Sequence, residues 1–335
     1  MSRAGLLLIG SAFTFTRLVD TIANTIVVAL GGNALAPAGE SATVYDQFRH
    51  TRQSLEAVVK LAAEGWRIAI VHGNGPQVGD ALKRNELARQ TVEPLPLGVL
   101  VAGTAGWIGY MVQQSLQNAL RRLAIDRQVL TVITQTVVSR NDPRLRDPTK
   151  PIGSVLSEDA AADLRLRGVV VGKDGSGRLR RWAPSPTPID IVEAEAVRQL
   201  VDEGKIVVAA GGGGPPVYRD PTTGWEGVDA VVDKDRTAAV LGNRLGADTL
   251  LILTDVQAVY RNWGTDHASP IPHMTVPEAR DLLETGELGR GSMAPKLEAA
   301  VTFIQQGGRR AVIADLTHGL AALNGETGTT SLGDH

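Results

Sequence analysis

The sequence contains no cysteine, and this absence removes several classes of chemistry at once. Without a thiol the chain has no disulfide framework, no thiolate nucleophile and no Cys-ligated zinc. The 34 Lys and Arg residues against 36 Asp and Glu give a net charge of −2, and no cluster of basic residues of nucleic-acid-binding type occurs in the sequence. We therefore expect no nucleic-acid partner. No run approaches the ~20 apolar residues of a membrane helix, so no membrane partner is expected either.

Several standard nucleotide and hydrolase motifs are also absent. Gly73 and Gly75 are followed by Gly79 instead of a glycine three residues on, so the dinucleotide-binding fingerprint fails. The Gly-Lys pairs at Gly172 and Gly204 lack the Ser or Thr of a P-loop. No protein-kinase catalytic loop, G-x-S-x-G elbow or H-E-x-x-H pair occurs. A nicotinamide enzyme is disfavoured, no protein-held metal centre is expected, and any phosphate chemistry must use another device.

The length and composition predict a large folded unit. A chain of 335 residues is about twice the size of a typical domain, which suggests two modest lobes or one large α/β unit. The 43% hydrophobic and 21% charged residues are close to the globular average. Residues 1–24 superficially resemble the start of a signal peptide, but the apolar core is short and no clean cleavage site follows. We interpret them as an extension outside the fold, and a mis-assigned translation start is one hypothesis for it.

From Thr25 onward, short β-branched runs alternate with glycine clusters and segments of helical periodicity. This alternation predicts an α/β fold with a parallel sheet. A long helix is predicted over residues 101–123. The predicted strands are residues 25–30, 67–71, 129–138, 206–210, 249–253 and 310–313.

Three glycine clusters directly follow predicted strands. In open parallel sheets ligands bind at the carboxyl ends of the strands, where backbone N–H groups are free to face an anion. One such cluster predicts no more than a tight turn, whereas three at equivalent positions leave turns and an anion site about equally favoured. The clusters are Gly31-Gly32-Asn33, Gly73-Asn74-Gly75 and Gly211 to Gly214.

Lysine is scarce, with seven residues against 27 arginines, so its positions are informative. Lys150, Lys234 and Lys296 lie in loop-like contexts rich in Gly, Pro, Ser or Asp. A compact ammonium approaches a transferring phosphoryl oxygen as a point charge, although any one of them alone is more typical of a surface lysine. Asp233 and Asp235 flank Lys234 at a predicted helix start, where Asp235 orients the lysines, Asp233 caps the helix, or both.

Residues 139–189 interrupt the regular pattern. Prolines bracket this segment, and it carries ten basic against six acidic side chains in a chain of net charge −2. It is either an inserted subdomain that presents positive charge to an anionic ligand or a solvated excursion.

Seven motifs follow one another in order along the chain. They are VVALGGNA (27–34), HGNGPQVG (72–79), PTKPIG (148–153), PSPTPIDI (184–191), GGGGPPV (211–217), DKD (233–235) and GSMAPK (291–296). Together they resemble carbamate kinase, of the amino-acid-kinase fold, over residues 25 to 330. The resemblance implies a three-layer α/β/α sandwich with a central, mostly parallel sheet and a small protruding subdomain. It implies reversible phosphoryl transfer between carbamoyl phosphate and ADP, giving ATP and carbamate, with Mg²⁺ arriving on the nucleotide.

The resemblance also implies an organisation. Residues 25–230 would form an N-terminal lobe that binds carbamate or carbamoyl phosphate, with a lid subdomain at about 139–189. Residues 231–335 would form the nucleotide-binding lobe. The family suggests a homodimer that works toward ATP in arginine or purine breakdown, or toward carbamoyl phosphate. ATP use and the lack of a convincing signal predict a cytoplasmic location. The implied catalytic residues are Lys150, Lys234, Asp235 and Lys296. The implied substrate- and phosphate-binding residues are Gly31, Gly32, Asn33, Gly73, Asn74, Gly75, Gly212 and Gly213. The implied nucleotide-binding residues are Thr254, Asp255, Val256, Tyr260, Ser292 and Met293.

Three positions depart from the family's usual pattern and leave substrate choice open. Gly98 and Ala105 lie on a helix expected near the carbamate pocket, and Asp255 stands where carbamate kinases often have glycine. Another acid-phosphorylating kinase of the same fold is an alternative, but simpler relatives place a lysine in the first glycine loop, where this chain has Asn33. A non-catalytic nucleotide sensor is the third possibility, and retention of the three lysines and an aspartate argues against it.

Overall fold

The structure is a computed structural model that describes residues 24–32, 35, 43–288 and 293–332. Apart from Asn24, the predicted extension over residues 1–24 lies outside the described residues. Within the described ranges, no helix has both the length and the apolar character needed to cross a bilayer.

The described residues form the alternating pattern predicted from the sequence. The strands are β1 (Thr25–Leu30), β2 (Arg67–His72), β3 (Val129–Thr131), β4 (Thr136–Val138), β5 (Lys150–Ile152), β6 (Val171–Lys173), β7 (Leu179–Ala183), β8 (Pro188–Ile191), β9 (Ile206–Val208), β10 (Pro216–Asp220), β11 (Gly224–Gly227), β12 (Thr249–Thr254), β13 (Val259–Arg261), β14 (Ser269–Ile271), β15 (His273–Thr275), β16 (Arg310–Asp315) and β17 (Thr329–Leu332). The helices are α1 (Val44–Ser54), α2 (Glu56–Ala63), α3 (Gly75–Ala88), α4 (Leu97–Arg122), α5 (Glu158–Leu166), α6 (Ala194–Asp202), α7 (Lys234–Leu245), α8 (Val276–Thr285), α9 (Met293–Gln305) and α10 (Gly319–Leu323).

The main sheet has eight strands in the order β15-β17-β16-β12-β1-β2-β9-β3. Its pairings are parallel except for the antiparallel pair β16 and β17. All six residues of β1 are buried, as expected for a strand covered on both faces. The carboxyl ends of β1, β2, β9 and β12 therefore open onto one edge of the sheet, where the glycine turns lie.

Helices cover both faces of this sheet. Val27 and Ala29 of β1 face one buried apolar cluster, to which α6, α7, α8 and α9 contribute. Ile26 and Val28 face the opposite cluster, which includes side chains of α1, α2, α4 and α10. Successive strand residues point to opposite faces, so β1 contributes to both cores. The result is the three-layer α/β/α sandwich that the resemblance implied.

One predicted strand is wrong. Residues 129–138 do not form a single strand, because β3 belongs to the main sheet and β4 to a second sheet with the order β11-β10-β4-β8. Between them the backbone changes partners: the Thr134 hydroxyl accepts a bond from the Ala210 N–H at 2.9 Å, and the Gln135 N–H donates to Glu193 at 2.7 Å. The predicted strand over 206–210 also ends early, at Val208, because Ala210 has a positive φ of 49° and begins a glycine turn.

The proline-bracketed segment contains a small unit of its own. Strands β5, β7 and β6 form a three-stranded antiparallel sheet, and α5 packs against it. Buried Ile152 and Ala183 join a third apolar cluster with Val78 of α3 and Val101 of α4. This cluster fixes the base of the unit on the main body, directly beside the glycine turns.

Candidate active site

The glycine turn after β9 has a backbone path that requires glycine. Gly212 has a φ of +67°, and a Cβ there would lie 2.2 Å from Nδ2 of Asn74. The Asn74 amide in turn donates a 2.9 Å hydrogen bond to the Thr104 hydroxyl on α4. Backbone from one turn is thus packed directly on a side chain from another, so the two predicted anion-binding turns form one surface.

Helix α7 begins at the bottom of the same site, and Asp233 makes that start possible. Its carboxylate accepts hydrogen bonds from the N–H groups of Asp235 at 3.0 Å and Arg236 at 3.3 Å, which caps the helix. The other carboxylate oxygen bonds the ammonium of Lys150, which reaches in from β5. Asp233 is thus the helix cap that the sequence predicted. Its bond to Lys150 is a second role, which the sequence did not reveal.

A second carboxylate organises the remaining two lysines. Asp235, which is 2% exposed, bonds Lys234 through one oxygen and Lys296 of α9 through the other, the latter at 3.2 Å. Helices α7 and α9 pack along each other, which brings these residues together from positions 61 apart in the chain. Three ammonium groups and two carboxylates therefore form one alternating charged cluster.

Burial and charge pairing oppose each other in this cluster. Lys150 keeps 38% of its side chain exposed but is partly desolvated by the surrounding protein, which disfavours its charge; the Asp233 carboxylate outweighs this and raises the pKa of that lysine. Burial of Asp233 is likewise outweighed by Lys150, which lowers the pKa of the carboxyl group. Burial lowers the pKa of Lys234; Asp235 opposes that shift only in part, and the positive charge of Lys296 adds to it. Lys234 is thus a desolvated ammonium, which is a strong partner for an entering anion.

The glycine turns and the charged cluster enclose a cavity of about 250 Å³, called here the inner cavity. It brings together twelve of the predicted site residues. They are Gly31, Gly32, Gly73, Asn74, Gly75, Lys150, Gly212, Lys234, Asp235, Thr254, Asp255 and Lys296. Backbone N–H groups and point charges therefore converge on a space that fits a small anion.

A larger cleft of about 1210 Å³, called here the outer cleft, adjoins the inner cavity and shares Lys150 and Asp255 with it. One wall is the turn between β6 and β7, residues 173–178. The opposite wall includes the predicted nucleotide residues Val256, Tyr260 and Met293. The ring centroids of Tyr260 and Trp263 are 5.1 Å apart, so this wall presents an aromatic pair.

The remaining predicted residues lie elsewhere. Asn33 and Ser292 fall outside the described residues. Gly213 lines neither space; its carbonyl oxygen accepts hydrogen bonds from the hydroxyls of Thr136 at 2.6 Å and Thr237 at 3.2 Å, so it anchors the turn from behind. Trp263 also lines the outer cleft, but the sequence analysis did not include it among the site residues. Its position three residues after the predicted Tyr260 was the signal that could have identified it.

The chain matches a known protein family over most of its length. A model of the amino acid kinase family matches residues 24–315. The chain therefore belongs to the amino acid kinase family.

Several of the proteins that the chain matches are carbamate kinases. The carbamate kinase of Halobacterium salinarum is 46% identical over 306 residues, which cover 91% of this chain and 97% of that one. The carbamate kinase of Pyrococcus furiosus is 41% identical and covers 92% of this chain and 98% of its own. Among solved structures, carbamate kinase from Giardia lamblia bound to AMP-PNP has a TM-score of 0.85 and 33% identity, covering 93% of this chain and 99% of that one.

Proposed function

We propose that the chain is an enzyme that transfers a phosphoryl group reversibly between carbamoyl phosphate and ADP, giving ATP and carbamate. The observation that carries this proposal is the inner cavity, where Lys150, Lys234 and Lys296 converge beside the glycine turns. The identity of 39–46% to several carbamate kinases over about 91% of the chain supports the same reaction.

In this proposal the inner cavity holds the carbamoyl group and the transferring phosphoryl. The backbone N–H groups of the turns around Gly31, Gly32, Asn33 and Gly73 and the Asn74 side chain bind their oxygens. The three ammonium groups neutralise the charge on the equatorial oxygens of a loose transition state, and Asp235 keeps two of them in place.

The chemistry requires positioning more than proton transfer. The bond between phosphorus and the carbamate oxygen breaks while a bond forms between phosphorus and a β-phosphate oxygen of ADP. Carbamate leaves as an anion and decomposes to ammonia and carbon dioxide. No general base and no covalent intermediate are needed. This fits a cavity whose described ionisable groups are three lysines, the two aspartates bonded to them, and Asp255, which is hydrogen-bonded to Thr254.

The nucleotide would occupy the outer cleft, with its base near Tyr260 and Met293 and its phosphates directed toward Lys150. Thr254, Asp255, Val256 and Ser292 belong to the same assignment. We accordingly assign carbamate binding to residues 25–230 and nucleotide binding to residues 231–335, with the lid at about 139–189 between the two substrates.

The described residues do not fit a metal centre of the protein's own, since no group of three or more suitable ligands occurs among them. Of the three carboxylates that line the inner cavity, Asp233 and Asp235 are already bonded to lysines, and Asp255 accepts a 3.1 Å hydrogen bond from the Thr254 hydroxyl. Mg²⁺ is therefore assigned to the nucleotide substrate.

The proposal also includes a cytoplasmic location and a role in arginine or purine breakdown. It includes a homodimer as well: the exposed side chains of Val99 and Tyr110 on α4 support a subunit contact, and light scattering can test the oligomeric state.

The deciding assay measures ATP formation from carbamoyl phosphate, ADP and Mg²⁺ by the purified chain. Lys60→Ala is the matched control, because Lys60 is an exposed lysine that is paired with Glu56 and does not line the inner cavity. Activity that survives in Lys60→Ala and is lost in Lys296→Ala supports the proposal. An inactive but folded wild-type chain would reject it, and ATP with a panel of small carboxylic acids would then test the alternative kinases.

A further inference from the structure

Two glycines outside the charged cluster lie in direct backbone contact beneath Lys150. Gly79 is a buried residue in the second turn of α3, and Gly153 directly follows β5. A Cβ on Gly79 would lie 1.8 Å from Cα of Gly153 and 2.6 Å from its N atom. Helix and strand therefore cross without any side chain between them.

We propose that Gly79 and Gly153 are positioning residues, which set the reach of Lys150 into the inner cavity through this crossing. The inference rests on the proposed function, because Lys150 is there one of the three groups that stabilise the transferring phosphoryl. Neither glycine lines the inner cavity, so their effect is exerted through β5.

The crossing cannot be relieved by rotating a side chain. The atoms that would clash are the new Cβ on Gly79 and the backbone Cα of Gly153, at 1.8 Å. Ordinary van der Waals contact begins at 3.4 Å, so a methyl on Gly79 requires helix and strand to separate by about 1.6 Å. On the inner side, Ile152 packs at 3% exposure in a cluster with Val78 and Leu82, so it resists movement there.

Beside the crossing the packing is loose. A cavity of about 410 Å³ lies there between α3 and the lid, and residues of both line it, among them Lys83, Gly153 and Ser157. The segment around Gly153 can therefore shift relative to α3 to accommodate the methyl. We expect the substituted protein to fold, with the strand that carries Lys150 displaced.

Displacement of this size matters for a transition-state contact. Lys150 is three residues before Gly153, and its ammonium must meet both Asp233 and the phosphoryl group. A misplacement of about 1 Å can cost about 100-fold in rate. The glycine turns after β1 and β9, and the wall that carries Tyr260 and Trp263, lie on other elements and keep their places.

The test is a double-mutant cycle between Gly79→Ala and Lys150→Ala. We expect Gly79→Ala to lower kcat about 100-fold while KM for ADP changes less than about threefold. In the Lys150→Ala background, which keeps the other two lysines and is assayed at high enzyme concentration, the same change should have almost no further effect. Gly103→Ala, on an exposed face of α4 with no atom near the new Cβ, is the control and should keep full activity.

Gly153→Asn gives a second, milder variant. Gly153 has a φ of +75°, which asparagine tolerates better than most residues, and its Cβ would lie 3.3 Å from Cα of Gly79. We expect a loss of roughly tenfold in kcat, which also serves if Gly79→Ala fails to fold. Near-normal kcat in both variants, or equal losses with and without Lys150, would overturn the inference. An inactive wild-type chain would instead reject the proposed function.

Discussion

The inner cavity and the outer cleft are built on different principles. The inner cavity lies between strand ends and helix starts, and Lys234 and Lys296 keep only 12% and 7% of their side-chain surface exposed. The outer cleft is nearly five times larger, and its walls carry exposed side chains such as Trp263, at 50% exposure. The first space is fixed before any ligand enters, whereas the second has room to adjust.

This difference separates catalysis from binding. Preorganised charges in a desolvated site act on the transition state and therefore set kcat. A wide, partly aromatic cleft supplies binding that is similar in the ground state and the transition state, and therefore sets KM. Substitutions in the two spaces should divide along this line.

The largest effect is expected from Lys296→Ala in the inner cavity. The variant leaves Asp235 bonded to one lysine instead of two and removes a buried point charge. We expect kcat to fall about a thousandfold, with circular dichroism showing a preserved fold. Turnover close to wild type would remove Lys296 from the catalytic group.

Asp233→Asn tests whether the Lys150 contact matters apart from the helix cap. Asparagine also caps helices, so α7 should keep its start while Lys150 loses its charged partner. We expect kcat to fall about 100-fold. Asp233→Ala removes the cap as well and should cost a further ~1 kcal/mol of unfolding free energy in urea titrations. Full activity in the asparagine variant would reduce Asp233 to a cap.

His72, in the wall behind the inner cavity, predicts a pH dependence of stability. It is fully buried, and its Nδ1–H donates to the Gly73 carbonyl oxygen at 3.0 Å. Burial is the main reason that its pKa is lowered from 6.5 to about 4. Because the folded-state pKa lies below the unfolded one, the unfolded chain takes up the proton first as the pH falls through this window. The contribution of His72 to the free energy of unfolding is therefore present above about pH 6.5. It should decline by about 2 kcal/mol by pH 5.

Urea unfolding at about pH 7 and about pH 5 measures this decline. His72→Gln cannot titrate and should lose less stability between the two pH values than wild type. His267→Gln, on an exposed histidine, is the control and should behave as wild type. Equal declines in wild type and His72→Gln would contradict the assignment.

The smallest effect is expected in the outer cleft. Trp263→Ala removes one ring of the aromatic pair and should raise KM for ADP about tenfold with kcat unchanged. Trp225→Ala is a matched control, because Trp225 is 43% exposed and lines neither space. A fall in kcat with unchanged KM would erase the distinction between the two spaces.

The sequence predicted the elements of the inner cavity because their chemistry is local. A strand that runs into glycines and a lysine between two aspartates are visible within a few residues. The pairing of Lys150 with Asp233 joins positions 83 apart, and no local pattern reports such a contact.

The errors have the same origin. Residues 129–138 have the composition of a strand throughout, but composition does not show that β3 and β4 belong to different sheets. The crossing of Gly79 with Gly153 was equally hidden, although both residues ended recognised motifs. Hydrophobic periodicity reports burial, whereas partners depend on topology.

The three lysines of the inner cavity differ in solvent exposure, and this difference sets the order in which an entering anion meets them. Side-chain exposure falls from 38% at Lys150 to 12% at Lys234 and 7% at Lys296. An anion diffusing in from solvent therefore meets Lys150 first and gives up its water in stages as it moves toward Lys296. Because only the outermost of these charges is well exposed to mobile ions, added salt should slow substrate capture more than it slows the transfer that follows.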